Sequence, residues 1–291
     1  MRRFVVFVPV YHGVVPMLAD LLESADQYLG EEFHTIIVDD HTTDRTAVEL
    51  ERLRTLRGPS SMTVLRNERN EGWGFGIYKN FARAARHALE HVDFDVLLKL
   101  DHDSLLIAPG VASGFRALLE VPGVGIAGNV QPEVNRWMWD WRTQPAVKRE
   151  AVKHGYLETL NGFPWSIQAG VMGFNRVLLE ALEARGWLER FDFVRFGTNG
   201  LVEDVMLPIL ASALGFRALH APFVRSTHGS DALLRLPYPQ MRQSGLRAIH
   251  PVKSGLSSAA QHNASDHEEM RAFFKSVRAE EQRRARLEGA S

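Results

Sequence analysis

Apolar runs and helical spacings alternate along the first hundred residues, with polar breaks between them. Phe4 to Val10 is an apolar run rich in β-branched and aromatic side chains, and it stops at the turn-like Tyr11, His12 and Gly13. A run without polar alternation reads as a strand buried on both faces, as parallel strands are. Pro16 to Tyr28 then carries Leu18, Leu21, Leu22 and Ala25 at helical spacing, with Gly30 as its stop. The alternation repeats. A strand from Phe33 to Val38 ends in the acidic loop Asp39 to Asp44 and leads into a helix bearing Ala47, Leu50 and Leu53. A strand at Met62 to Leu65 is followed by the glycine-rich stretch Asn70 to Gly76 and a helix through Phe81, Ala84, Ala85 and Leu89; a further strand, Asp95 to Leu100, ends in Asp101, His102 and Asp103. This order predicts an α/β fold with a mostly parallel sheet, helices on both faces, and polar loops at the carboxyl ends of the strands. Open α/β sheets bind ligands at that edge.

The second half is less regular. Val124 to Gly128 and Gln168 to Phe174 read as strands, Arg176 to Arg185 as a helix, Glu203 and Asp204 open another helix, and Phe216 to His220 closes the core. Between them, Val130 to His154 is a loop-rich excursion in which Trp137, Trp139 and Trp141 alternate. That alternation fits one face of a strand packing the core, and equally aromatic faces that stack on sugar rings. From Ser265 the spacing of a capping box introduces Met270, Phe273, Phe274 and Val277 at i, i+3, i+4 and i+7, which predicts a terminal amphipathic helix. Its phenylalanines are expected to pack on the domain or on a second copy, giving a homodimer through this helix. Acids lead and bases trail along it, six of each from 266 to 291, which suits the helix dipole and disfavours a polybasic membrane anchor.

Composition narrows the chemistry. The 291 residues suit one large domain with an appendage, and 34 Lys+Arg against 35 Asp+Glu give no general attraction for nucleic acid. Cys is 0, so disulfides, thiolate-bound metals and a thiol nucleophile are excluded. No apolar run approaches the ~20 residues of a membrane span. Arg2 and Arg3 before the first apolar run resemble a targeting signal, but Pro9 and His12 interrupt it early. The expected location is the cytoplasm, at most peripheral to a membrane.

Two carboxylates on alternate positions at a strand end, Asp101 and Asp103, can converge on one divalent cation, Mn2+ or Mg2+, that neutralises a diphosphate. Alone, the pair also reads as a solvated turn. Asp39 and Asp40 end an earlier strand on the same edge, where a carboxylate accepts hydrogen bonds from a nucleobase N–H or ribose hydroxyls, or else shapes an Asx turn. Gly72, Gly74 and Gly76 do not match a dinucleotide fingerprint and are better suited to close backbone approach. Lys79, one turn into the following helix, can reach a phosphate or stay in solvent. Glu203 and Asp204 fit a helix first turn on charge alone.

The order Val8-Pro9-Val10-Tyr11, then Ile37 to Asp44, then Asn70-Glu71-Gly72-Trp73-Gly74 with Asn80, then Asp101-His102-Asp103, then Glu203-Asp204 resembles the family 2 glycosyltransferases of GT-A fold. The resemblance covers residues 4 to about 230, with the transferase domain expected over 1–235 and a loop and helical extension over 236–291. It implies transfer of a sugar, with inversion, from a nucleotide diphosphate donor of UDP or dTDP type to a hydroxyl on a saccharide or other acceptor. Carried over by residue, it implies donor contacts at Pro9, Tyr11 and Gly72, a base and ribose contact at Asp39 or Asp40, and a ribose or metal contact at Asp101. It makes Asp103 the direct metal ligand and Asp204 the general base. The family's acidic loop usually has Gly and Ser where this chain has His41 and Thr42, and Lys79 stands where Arg is frequent. For a third metal ligand the expectation favours His228, with His250 as its rival; His250 brings Lys253, which suits a phosphate. Two other readings stay open: a sugar- or nucleotide-binding module without catalysis, and a haloacid-dehalogenase-type phosphatase. The phosphatase would place its nucleophile after the first strand, where this chain has three strand-helix units before Asp101.

Overall fold

The computed structural model describes residues 3–72, 75–130, 167–189, 203–226, 236–252 and 264–289. Its elements in chain order are β1 (Arg3–Val10), α1 (Val15–Tyr28), β2 (Phe33–Asp39), α2 (Thr46–Arg57), β3 (Met62–Arg66), α3 (Phe75–His91) and β4 (Phe94–Leu100). There follow β5 (Leu105–Leu106), α4 (Val111–Leu119), β6 (Val124–Val130), β7 (Ile167–Asn175), α5 (Arg176–Ala184), α6 (Glu203–Ala213), β8 (Arg217–His220) and β9 (Val224–Ser226). The described chain continues with α7 (Tyr238–Gln243), β10 (Ala248–His250) and α8 (Ala264–Glu288).

Seven strands form one sheet in the order β3-β2-β1-β4-β7-β6-β8. All run parallel except β7, which is antiparallel to both β4 and β6. The apolar run of β1 is explained by two helical layers. Phe4, Val6, Val8 and Val10 face a core shared with α1, α4 and Leu50 of α2, whereas Val5 and Phe7 face one built from α3, α5 and α6. Each large side chain so buried contributes roughly 1.5–3 kcal/mol. On the second face Phe81 meets Phe174 with ring centroids 4.7 Å apart and Phe7 at 6.2 Å.

A second sheet, β5-β10-β9, stands beside the first. Its two- and three-residue strands lie over a separate apolar cluster of Leu105, Ile107, Met241, Leu246, Ile249, Val252, Met270 and Phe274. The apolar stripe of α8 is thus covered by the chain's own β5, α7 and β10. α8 is also fastened to α1 by Asp20, which accepts from Arg271 Nη1 at 2.6 Å and from Arg278 Nη2. Strand order reverses direction at β1, between β2 and β4, and that switch point opens the crevice that holds the polar loops.

Candidate active site

The carboxyl ends of β1, β2 and β4 meet at one edge, and each delivers the polar residues that follow it. Beyond β1, Tyr11 packs edge-on against His102 with centroids 4.6 Å apart. Burial, then the Asp103 and Asp101 carboxylates, push the Tyr11 hydroxyl up to about 12. Pro9 stays inside the strand, in register with Val38.

At the end of β2 the two aspartates do different work. Asp40 is buried with every oxygen occupied: Oδ1 accepts from Asn67 Nδ2 at 2.8 Å and from the Glu71 N–H at 2.9 Å, and Oδ2 accepts from the Gly72 N–H at 3.1 Å. It is the organiser of the 67–72 loop, where Gly72 takes a φ of 82° that favours glycine. Asp39 accepts from the Thr42 N–H at 2.9 Å and has Arg66 3.7 Å away. Just after them His41 has a φ of 57°, the left-handed conformation that explains the usual glycine at this place, and its Nδ1 lies 3.2 Å from the Asn67 carbonyl. Lys79 pairs with Glu71 across the same loop.

After β4, Asp101, Asp103 and His250 offer one ligand atom each within 4.8 Å of one another. His250 Nε2 is 3.1 Å from Asp103 Oδ1 and 3.4 Å from Asp101 Oδ2. β10 pairs antiparallel with β5, just past the acidic turn, and so carries His250 back to it. Gly170 of β7 leaves room for the imidazole, since a Cβ there would overlap the His250 ring. Two carboxylates and one imidazole form a donor set that can hold a divalent metal ion. His228 and Lys253 lie outside the described residues, as do Trp137, Trp139 and Trp141.

Beneath the acidic turn is a fully buried lysine. Lys99 Nζ donates to Asp101 Oδ1 at 2.5 Å and lies 3.5 Å from Glu203 Oε1 at the start of α6. Burial pushes Glu203 up to about 7 against the downward pull of Lys99, while Asp101 adds to the rise. Glu203 is therefore turned inward, and its neighbour Asp204 is only half-buried. Sequence reasoning missed Lys99 and Gly170. The signal for Lys99 was a lone charge inside an apolar strand, which burial obliges to find partners. For Gly170 it was a glycine within a strand pattern, a mark of close approach by another group. A cavity of about 530 Å³ lined by Arg3, His34, His87 and His91 opens at the other end of the strands, away from this cluster.

The sequence pattern that defines glycosyl transferase family 2 matches residues 5–177. The chain belongs to glycosyl transferase family 2. Among solved structures, this family 2 chain is similar to the mannosyltransferase PcManGT from Pyrobaculum calidifontis, solved in complex with GDP-Man and Mn2+. That likeness covers 87% of this chain and 57% of the other, at 17% identity and a TM-score of 0.52. The bifunctional glycosyltransferase WbbM, solved in its apo form, is similar over 93% of this chain and 50% of its own, at 12% identity and a TM-score of 0.54. At such identities the likeness is one of fold, the GT-A type. This chain spans between 50% and 57% of the length of those two. Among curated proteins, none matches it. Among the described residues, no helix of this family 2 chain is long and apolar enough to cross a membrane.

Proposed function

We propose that this family 2 glycosyltransferase moves a sugar from a nucleotide diphosphate donor to an acceptor hydroxyl with inversion, using Asp204 as general base and a divalent cation held by Asp101, Asp103 and His250. The observation that carries the reading is the convergence of those three ligand atoms within 4.8 Å, at the edge where Lys99 joins the acidic turn to the first turn of α6. A bound cation supplies charge neutralisation for the departing diphosphate. The chain's own residues do the rest. Tyr11, Asp39 and the loop gathered by Asp40 receive the nucleoside. The acceptor oxygen attacks the anomeric carbon as the bond from that carbon to the diphosphate breaks, and Asp204 takes the hydroxyl proton.

Adjacent residues in a helix point about 100° apart, so only one of Glu203 and Asp204 can face the acceptor. The inward turn of Glu203 onto Lys99 supports Asp204 for that role. Asp204→Asn should bind donor and Mn2+ normally while transfer falls by a factor of about 10²–10⁴. UDP-, dTDP- and GDP-sugars are the donors to screen, the last because PcManGT was solved with GDP-Man. Retention at the anomeric centre, read by NMR of the first product, would sink the single-base mechanism. Full activity in Asp204→Asn would remove the base assignment.

A further inference from the structure

We infer that Arg271 of α8 is a positioning residue of the metal site, clamping the segment that carries His250 against the acidic turn, so that docking of α8 and binding of the cation are coupled. The inference rests on the proposed metal reading and adds to it an element far outside the 5–177 match.

His250 ends a strand of three residues, too short to fix the direction of the chain beyond it. Two hydrogen bonds at Val252 supply the missing constraint. Its N–H donates to the Asp103 carbonyl at 2.7 Å, and its own carbonyl accepts from Arg271 Nε at 2.6 Å. Arg271 is buried, and its Nη1 donates to Asp20 Oδ2 at 2.6 Å. Asp20 in turn takes Arg278 on its other oxygen, fixing the guanidinium from the α1 side. An unbroken path therefore runs from α1 through α8 to Val252, and from there to the backbone of Asp103. Both ends of the His250 segment are held: β10 pairs with β5 and β9 before it, and the Arg271 fork holds Val252 after it. A guanidinium is required because one planar group must meet a carboxylate and a carbonyl in different directions at once. Outer partners of this kind set ligand orientation, and losing one typically costs about 10–100-fold in metal affinity.

Coupling is reciprocal, so whatever α8 contributes to the cation the cation returns to α8. The first test uses the unaltered full chain: hydrogen exchange by mass spectrometry with and without Mn2+. Slower exchange is expected at 248–252 and also in α8 around 268–278. The second test reads Mn2+ binding directly, by loss of the free-ion EPR signal, in Arg271→Met, Arg271→Lys and Asp20→Asn. Arg271→Met should weaken Mn2+ binding by a factor of about 10–100, and Arg271→Lys should not restore it, since an ammonium lacks the fork. Asp20→Asn should lower the melting temperature and weaken Mn2+ binding clearly less than Arg271→Met does, because α8 loses part of its hold on α1 while the Val252 contact survives. Absence of Mn2+ binding by the unaltered chain would sink the metal reading itself. Mn2+ binding that leaves α8 exchange unchanged would overturn the clamp alone, even if the Arg271 variants do not fold. The clamp also fails if Asp20→Asn weakens Mn2+ as much as Arg271→Met, since the effect would then be helix docking in general.

Discussion

Substituting Gly170 by alanine adds one methyl group at the point where β7 passes behind His250. The new Cβ would overlap Cγ, Nδ1 and Cδ2 of the imidazole. Carbon atoms rest about 3.5–4.0 Å apart, so the ring has to retreat by more than about 1 Å. β7 cannot give way instead, because the Gly170 carbonyl accepts the Asp101 N–H at 2.9 Å and the Ser104 hydroxyl at 2.6 Å. Metal-ligand distances tolerate about ±0.2 Å, so the retreat takes Nε2 out of the donor set. Gly170→Ala should therefore weaken Mn2+ by at least the roughly 10–100-fold that an outer-shell defect costs. Overpacking should lower stability by about 1–3 kcal/mol. The assay is calorimetric titration with Mn2+ and thermal melting of the parent, Gly170→Ala, His250→Ala and the double variant. With the ring gone the methyl group has space, so the stability cost of Gly170→Ala should vanish in the His250→Ala background, a non-additivity expected of residues in contact. Parent-like Mn2+ affinity in Gly170→Ala, or a cost that persists undiminished without the ring, would refute the placement of His250.

Lys99→Met leaves the half-buried Asp101 and the buried Glu203 without their cation and should destabilise the chain by about 3–5 kcal/mol, measured by urea unfolding; a loss near zero would mean that the lysine does not compensate them. Asp40→Asn sets an amide N–H against loop N–H groups and should cost about 1–3 kcal/mol along with nucleotide affinity; unchanged melting would dissociate Asp40 from the 67–72 loop. His34 is held below its ordinary value by burial, although its contact with the Ser60 carbonyl opposes this and Arg3 assists it. The unfolded chain therefore binds a proton that the native state resists, and stability should fall as the pH drops below about 6.5. A His34→Gln variant should lose that part of the acid dependence, and identical slopes for the two proteins between pH 7.5 and 5.5, taken as roughly bracketing the ordinary value, would exclude it.

The sheet was readable because its central strands are mainly apolar, as strands covered on both faces are, and its acidic loops stand where the strands end. β7 was readable as a strand but not as the one reversed strand, since direction leaves no trace in an apolar run. The strands β5, β9 and β10 went unread, because two or three residues are too few to show a period and they pair across long stretches of chain; α4 went unread as well. That is why the sequence expectation favoured His228, with nothing in the spacing to show that His250 returns to the acidic turn. Asp101 and Asp103 announced themselves as neighbours in sequence, whereas His250 joins them only through the β5 to β10 pairing. Asp39 and Asp40 looked equivalent in sequence and are separated by the fold, Asp40 organising a loop and Asp39 facing Arg66.

The contact between Asp20 and Arg271 spans 251 positions of chain. Chains are made from the amino terminus, and their early parts begin to fold first. The parallel strands and the 67–72 loop can thus assemble while α8 is still unmade, with Asp20 lacking its guanidinium and the acidic turn lacking its imidazole. Those contacts are completed only once His250, Arg271 and Arg278 have been made. A nascent chain that ends before His250 therefore carries Asp101 and Asp103 at its sheet edge without the imidazole that faces them in the folded chain.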